Sequence, residues 1–239
     1  MSAEIVKLGT LCIDSWPVES GTKCNSDSSP LAIVDTVPGK EIQWVQVGGL
    51  LIADRCVCTN ISWSRLAKLR YISGKLLQID GKKFFCRSLK LGSAPDKPSE
   101  WDRILDLTGE DDSLWHWKNR CSWGQETVEG TQNKKAVAGG YSARSWSHFT
   151  RTFRGITAGF RPVLEPLDPT PIRLEDLVGK RITVYGLPGL AVSGKLVGWD
   201  DYDVVLVDPS RTPNTAWVTK AGEKLIVNRS GIEWLREDW

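Results

Sequence analysis

The chain has 239 residues, of which 41% are hydrophobic and 25% charged, and its formal net charge is +2. Such a length suits one large or two modest domains, and the composition is that of an ordinary globular protein. The small net charge argues against nucleic-acid binding by long-range attraction, and no apolar run approaches the ~20 residues of a membrane span. Because the opening MSAEIVKLGT carries no signal-peptide pattern, we expect a cytoplasmic protein whose six cysteines are free thiols.

Short strands and turns are predicted for the first part of the chain. Gly9 and Thr10 separate two apolar runs and predict a hairpin turn. A short helix is expected after Asn60 or Ser62, either of which could cap it. An Asp-Gly pair at residues 80–81 predicts the turn of a second hairpin.

The clearest helix signal begins at residue 98. Ser99 is a suitable N-cap, acidic residues occupy the first turn, and one face is apolar through Trp101, Ile104 and Leu105. Three prolines within residues 165–171 indicate a linker, so we place a domain boundary near Leu167.

Residues beyond this boundary have a different pattern. A short helix is predicted at residues 172–180, followed by short strands at 181–185, 191–199, 203–207, 216–218, 224–227 and 232–235. Five or six short strands in about 65 residues are typical of a small β-barrel.

Several motifs of the middle segment occur in a recognisable order: P-S-E-W at 98–101, W-H-W at 115–117, G-G-Y at 139–141 and G-F-R at 159–161. This order resembles formylglycine-generating-enzyme-like domains, which have a C-type lectin-like fold. It is still more similar to uncharacterised phage and mobile-element proteins of Gram-positive bacteria. The resemblance covers residues 95–167 and includes residues 1–94 by expectation only. It implies an α+β protein with a C-type lectin-like domain at 1–167, followed by a small, mainly β domain at 168–239.

Target proteins of diversity-generating retroelements use the same fold, and their variable residues lie between the glycine pair and the G-F-R motif. The resemblance therefore implies a ligand- or partner-binding patch on an exposed concave face, and burial of the same side chains in the core is the alternative; the residues are Arg144, Trp146, His148, Phe149, Arg151 and Arg154. Arg161 is expected to form a buried pair with a carboxylate, for which Glu100 is a candidate.

We do not expect this patch to catalyse a reaction. The oxidising members of the family hold copper with a cysteine pair, whereas this chain has no cysteine after Gly124. The two histidines and the acidic run at 110–112 do not have the spacing of a known metal site, although calcium binding at that run is left as an alternative. We expect a non-enzymatic protein without cofactor or metal that recognises a protein or a small ligand, and a phage setting would suit interference with a host protein.

The C-terminal segment G-K-L-V-G-W-D-D-Y-D at 194–203 resembles the Sm pattern of SH3-type barrels. That resemblance implies rings that bind single-stranded RNA by base stacking and a basic groove, here through Tyr202, Asn228 and Arg229. An RNA-binding oligomer is thus the alternative function. Numerous acidic residues in this segment weigh against RNA, and a homo-oligomerisation module is the simpler interpretation.

Overall fold

The computed structural model describes residues 4–97, 99–167, 173–186, 190–210 and 215–237. The chain divides into two compact units, Met1–Pro166 and Leu167–Trp239, which we call the N-terminal and C-terminal units. Most of the linker predicted at 165–171 lies outside the described ranges. No helix of the described residues is long and apolar enough to cross a membrane.

The predicted α+β class with a C-type lectin-like domain is wrong. Strands take up 49% of the structure and helices 12%, and the described strands form three sheets. The described α-helices contain only four to nine residues each. The helices predicted after Ser62 and Ser99 are confirmed, but most apolar runs pair over long distances as strands, which makes the protein mostly β.

Fourteen strands belong to the described part of the N-terminal unit. The first seven are β1 (Glu4–Ile13), β2 (Trp16–Val18), β3 (Thr22–Lys23), β4 (Leu31–Val34), β5 (Glu41–Val47), β6 (Leu50–Ala53) and β7 (Cys58–Thr59). The others are β8 (Lys75–Ile79), β9 (Lys82–Ser88), β10 (Cys121–Thr127), β11 (Lys134–Gly139), β12 (Trp146–Thr150), β13 (Ala158–Phe160) and β14 (Pro162–Pro166). The helices are α1 (Trp63–Lys68), α2 (Glu100–Thr108) and α3 (Asp112–Trp115).

The first sheet has the order β2-β1-β5-β6-β14-β9-β8, and β4 also pairs with β1. The hairpin turn predicted at Gly9 is wrong, because β1 runs through this glycine at φ 66° with a shift of register against β5. Glycine tolerates that conformation without strain, so it marks a β-bulge here. The turn itself lies at Asp14 and Ser15, whose φ angles are 53° and 68°. The predicted hairpin at residues 80–81 is confirmed by the β8–β9 pairing.

The second sheet has the order β12-β11-β10-β13-β7-β3, so β12 and β3 are its edge strands. Two of its pairings are parallel, β10 with β13 and β3 with β7. Strands of the two sheets alternate along the chain, and Arg161 is the single residue between β13 of the second sheet and β14 of the first.

Both longer helices begin at their predicted serine caps. Ser62 Oγ accepts from the Arg65 N–H, and Ser99 Oγ accepts from the Asp102 N–H. The apolar face predicted for α2 is buried as expected, with Trp101 at 3% exposure. Trp101 meets Trp115 edge-on at 5.0 Å between ring centroids, so α2 and α3 share one core.

A buried ion cluster anchors α2 to the first sheet. The Arg87 guanidinium on β9 bonds Glu100 of α2 at 2.5 Å and Glu165 of β14 at 2.5 Å. Arg87 is thus the partner that Glu100 uses, and the predicted pairing of Glu100 with Arg161 is wrong.

The C-terminal unit contains β15 (Arg181–Gly186), β16 (Leu190–Trp199), β17 (Asp203–Val207), β18 (Val218–Ala221), β19 (Lys224–Asn228) and β20 (Ile232–Glu237). These strands form one antiparallel sheet in the order β18-β19-β17-β16-β15-β20. Alternating buried residues of β15, β16, β17 and β19 make a separate core. Five of the six predicted strands of this region are confirmed. The strand predicted at 216–218 is misplaced, because β18 begins at Val218, and the predicted helix is a single 3-10 turn at Leu174–Leu177.

Candidate functional site

The N-terminal unit contains a cleft of about 340 Å³ with a polar lining. Three segments form its walls: residues 20–21 before β3, residues 55–59 around β7, and residues 112–120 at and after α3. Each segment lies at the end of an element, where loop side chains are free to face a ligand.

The turn after α3 is built to present side chains to the cleft. Asp111 caps α3 through a bond from the Ser113 N–H, and His116 ends it in the left-handed conformation at φ 44°. The Lys118 N–H donates to Asp112 Oδ1 at 2.7 Å, and Asn119 is also left-handed at φ 59°. These bonds fix the backbone from which the side chains of residues 116, 118 and 120 project.

Backbone hydrogen bonds from the glycine pair at residues 139–140 hold this turn in place. The Asn119 N–H donates to Gly140 O, and the Gly140 N–H donates to Trp117 O. Gly139 has φ 95°, and a Cβ there would lie 2.7 Å from Arg120 O. The turn therefore lies so close to β11 that there is no room for a side chain at position 139.

Asp54, Arg55 and His116 form a bonded cluster at one wall of the cleft. Arg55 Nη2 donates to Asp54 Oδ2 at 2.7 Å and lies 2.9 Å from His116 Nε2. A guanidinium only donates, so His116 Nε2 is the acceptor and its ring proton belongs on Nδ1. Nδ1 is 3.5 Å from Asp54 Oδ2. Nδ1 makes no hydrogen bond with the described residues, so the carboxylate orients the guanidinium directly and the imidazole only through Arg55.

A fully buried arginine joins two of these segments. Arg161 donates from Nη1 to Asp54 O at 2.8 Å, from Nη2 to Trp115 O at 2.7 Å and from Nε to Ser122 Oγ at 2.9 Å. Burial lowers the pKa of Arg161, but an arginine remains charged in proteins. Its role is to tie the end of β6 to the end of α3, so the two cleft walls keep their spacing.

Positive charge exceeds negative charge in the cleft. Arg55, Lys118 and Arg120 line it, whereas the only carboxylate among the lining residues is Asp112. Within the described ranges neither Lys118 nor Arg120 forms an ion pair. Two unpaired cations on one segment, beside an arginine that Asp54 holds in place on another, are an arrangement that attracts anions.

The thiols of Cys56 and Cys121 beside the cleft favour the protonated form. Burial raises the pKa of Cys56, and burial together with the nearby Cys56 raises the pKa of Cys121 to about 11. Protonated thiols are poor nucleophiles, so the cleft offers charge and hydrogen bonds rather than a thiolate.

The six residues predicted to form one patch lie in different surroundings. Trp146 and His148 point to one face of edge strand β12, and Phe149 points to the other. Trp146 is half-buried and donates from Nε1 to Leu91 O at 3.2 Å. Phe149 stacks on Phe153 with 4.3 Å between ring centroids, and its side chain packs against a hydrophobic core of the N-terminal unit.

The three arginines of this set are also separated by their partners. Arg144 is surrounded by three carboxylates, with Glu110 at 2.6 Å as the closest. Arg154 donates to Asn60 O at 3.0 Å and lies 3.3 Å from Asp27. Arg151 is exposed. The structure therefore does not bring these side chains onto a single concave surface.

The predicted RNA-contact residues do lie together, at one end of the C-terminal sheet. The Arg229 N–H donates to Tyr202 O at 2.7 Å, and Asn228 stands opposite Asp203 in the β17–β19 pairing. Tyr202 is 76% exposed. Asp200 caps the same turn, and bonds from the N–H groups of residues 202 and 203 lower its pKa, so the surface is of mixed charge.

The acidic run at 110–112 is divided among internal partners. Glu110 bonds Arg144, Asp111 caps α3, and Asp112 bonds the Lys118 N–H. Among the described residues there is no group of three or more histidines, cysteines or carboxylates arranged to hold a metal.

No family model, no curated protein and no solved structure matches this chain. Arguments about function therefore rest on the geometry of the cleft.

The sequence pattern did not indicate the basic residues of this cleft, although it drew attention to His116 and Asp112 as possible metal ligands. Arg55 and Lys118 are 63 positions apart, and the fold brings their segments together through the bonds of Arg161 to Asp54 O and Trp115 O. One local signal was available: residues 118 and 120 are basic and flank Asn119, a residue type that often adopts the left-handed conformation of a turn.

Proposed function

We propose that the N-terminal unit is a binding module that holds a small anionic ligand, bearing a carboxylate or a phosphate, in the cleft. The observation that carries this proposal is the convergence of Arg55, Lys118 and Arg120 in one cleft with a single lining carboxylate. Its volume lies at the lower end of the ~300–1,000 Å³ range of small-molecule sites.

Arg55 is the residue best prepared to receive an anion. Asp54 holds its Nε and Nη2 atoms, and Nη2 also meets His116. Nη1 makes no hydrogen bond with the described residues and is the donor left for a ligand. A guanidinium fixed in this way loses little side-chain entropy on binding, which favours affinity.

Lys118 and Arg120 supply the other contacts. Lys118 is exposed and Arg120 is half-buried, and Arg120 spends one donor on Asn119 O. Their backbone is fixed by the turn after α3, whose His116 meets Arg55 Nη2 at 2.9 Å. Cations from two segments that line one cleft favour a compact anion that contacts both segments.

Isothermal titration with inorganic phosphate and with citrate tests this proposal. Neutralising one cation, by Lys118→Gln or Arg120→Gln, should weaken binding by about tenfold or more, because a hydrogen bond to a charged group contributes ~1.5–3 kcal/mol. Lys83→Gln is the matched control, since Lys83 is an exposed lysine of β9 outside the cleft. Equal affinity in all variants, or no binding of either anion, would contradict the proposal.

A second candidate function rests on the C-terminal unit. Tyr202, Asn228 and Arg229 lie at one end of its sheet, and the exposed Tyr202 ring could stack on a base of single-stranded RNA. Stacking contributes ~1–3 kcal/mol per base, so Tyr202→Ala should reduce affinity for an oligouridine by at least about fivefold in fluorescence anisotropy. Tyr141→Ala is the control, because Tyr141 is 94% exposed but belongs to the other unit.

Assembly and location complete the proposal. Oligomerisation through the C-terminal unit is tested by mass photometry of the full chain. A cytoplasmic location agrees with the six cysteines, all of which are free thiols.

A further inference from the structure

Cys24 and Cys58 form a buried pair of thiols at the edge of the second sheet. Cys24 directly follows β3, and Cys58 begins β7. The parallel pairing sets Thr22 opposite Cys58, and the Cys24 N–H donates to Thr59 O at 2.9 Å. Cys24 is two residues beyond Thr22 and hence on the same face as Cys58, so the two thiols are diagonal neighbours across the β3–β7 pairing.

The surroundings shift the pKa values of the two thiols in opposite directions. The hydrogen bond from Cys58 lowers the pKa of Cys24 and outweighs burial, and the Arg154 guanidinium lowers it further. The same hydrogen bond and burial raise the pKa of Cys58. One member therefore favours the thiolate while its neighbour keeps a proton, which is the pattern of reactive dithiols.

The remaining thiols differ from this pair. Cys121 is the most exposed of the six, but its pKa is raised to about 11. Cys86 is fully buried with a pKa raised to about 12. Exposure alone therefore predicts that Cys121 reacts first, whereas thiolate character predicts Cys24.

We propose that Cys24 and Cys58 are an oxidation site, at which a peroxide converts the two thiols to a disulfide. The Cys24 thiolate attacks one peroxide oxygen, the O–O bond breaks, and hydroxide leaves to give a sulfenic acid. The Cys58 sulfur then attacks the Cys24 sulfur, the S–O bond breaks, and water leaves. Overall the two thiols lose two hydrogens, and one hydrogen peroxide is reduced to two waters.

Access for the peroxide follows from the position of β3. This strand has two residues and lies at the sheet edge, so its local opening costs less than unfolding of the core. The disulfide would tie β3 to β7 beside Gly21 and Thr59, which line the cleft. The oxidation site itself does not depend on an anion in the cleft.

Peptide mapping of the full chain tests the proposal. The protein is treated with limiting hydrogen peroxide, its free thiols are alkylated, and its digest is analysed without reduction. The expected result is a linked Cys24–Cys58 peptide that has lost two hydrogens, formed at least about tenfold faster than any modification of Cys121. Oxidation of Cys121 while Cys24 and Cys58 both remain alkylatable would overturn the proposal.

Two variants sharpen the result. Cys58→Ser removes the second thiol, so Cys24 should stop as a sulfenic acid that dimedone traps. Cys121→Ser is the control and should form the linked peptide at the wild-type rate. If Cys58→Ser does not fold, the mapping of the wild-type chain still decides; a trapped sulfenic acid at Cys121 instead of Cys24 counts against the proposal.

Discussion

Arg161 shows how a single side chain positions a binding site without touching a ligand. Its guanidinium is 1% exposed, bonds three backbone carbonyls and one hydroxyl, and stands 5.1 Å from the centre of the Trp101 ring. The sequence allowed the prediction that Arg161 is buried and structural, but the predicted partner was wrong. A sequence motif identifies the residue type, but the groups that accept its hydrogen bonds depend on which loop ends the fold brings together.

Arg161→Met should lower the free energy of unfolding by about 3 kcal/mol or more, because buried acceptors left without donors each cost ~1–3 kcal/mol. Urea unfolding measured by tryptophan fluorescence checks this value. Arg103→Met is the control, since Arg103 is exposed on α2 and a change beyond ~0.5 kcal/mol is not expected. Similar stability of the two variants would contradict the structural role of Arg161.

Glu100 gives the fold an acid-sensitive contact. Burial alone would raise its pKa, but the charge and hydrogen bonds of Arg87 outweigh burial and hold the pKa below the ordinary value of 4.5. A group with a depressed folded-state pKa contributes stability above its unfolded pKa, and this contribution is lost as pH falls through the folded pKa. Stability should therefore decline as the pH falls below about 4.5.

Glu100→Gln should flatten this decline, because the amide does not titrate. The urea midpoint at pH 3 and pH 6 measures the effect in wild type and variant. An equally steep loss of stability in Glu100→Gln would show that other carboxylates cause it.

At the scale of elements, the turn after α3 and the glycine pair of β11 form one unit that carries Lys118 and Arg120. Short-range signals made many elements readable: both serine caps, the α2 face, the β8–β9 hairpin and the strands of the C-terminal unit follow from local patterns. The failure at Gly9 has a local reason, because a glycine with positive φ serves a turn or a bulge equally well. The fold class was misjudged because pairings such as β6 with β14 join residues more than 100 positions apart.

Gly139→Ala should weaken phosphate binding by at least about tenfold, since a methyl group 2.7 Å from Arg120 O displaces the turn that bears two of the cations. Gly130→Ala provides a matched control. Gly130 has a similar positive φ of 72° in the same β10–β11 hairpin, but nothing lies within 4 Å of its added Cβ.

Gly130→Ala should lose about 1 kcal/mol of stability through backbone strain, and Gly139→Ala should lose more because its methyl group also meets Arg120 O. Only Gly139→Ala should lose affinity in calorimetric titration. Equal affinities would show that the turn does not position the site.

At the scale of the whole molecule, the net charge of +2 does not show how unevenly the charged side chains are distributed. Arg144 is neutralised within an acidic surface, and Arg87 is neutralised in the core, whereas Lys118 and Arg120 have no ion-pair partner among the described residues. Composition alone could therefore not indicate an anion site. The resemblance of the motif order to a known family drew attention to residues 144–154, but contacts with acidic and aromatic neighbours account for most of those side chains.

The two units should be separable in function. All cleft residues lie between positions 20 and 120, and the two cores around them lie within Met1–Pro166. A chain of residues 1–166 should fold cooperatively and bind phosphate with a Kd within about threefold of the full chain. A folded fragment that has lost phosphate binding would show that the C-terminal unit contributes to the site.

Backbone amide shifts during a phosphate titration, followed by ¹H–¹⁵N NMR of the full chain, test the anion-cleft proposal most directly. The three candidate sites occupy separate stretches of sequence, so one titration discriminates between them. We predict that the largest shift changes occur at residues 20–21, 55–59 and 116–120 and saturate with one Kd. Saturable changes centred on residues 144–154, or on Tyr202 and Arg229, with the cleft unperturbed, would contradict the proposal.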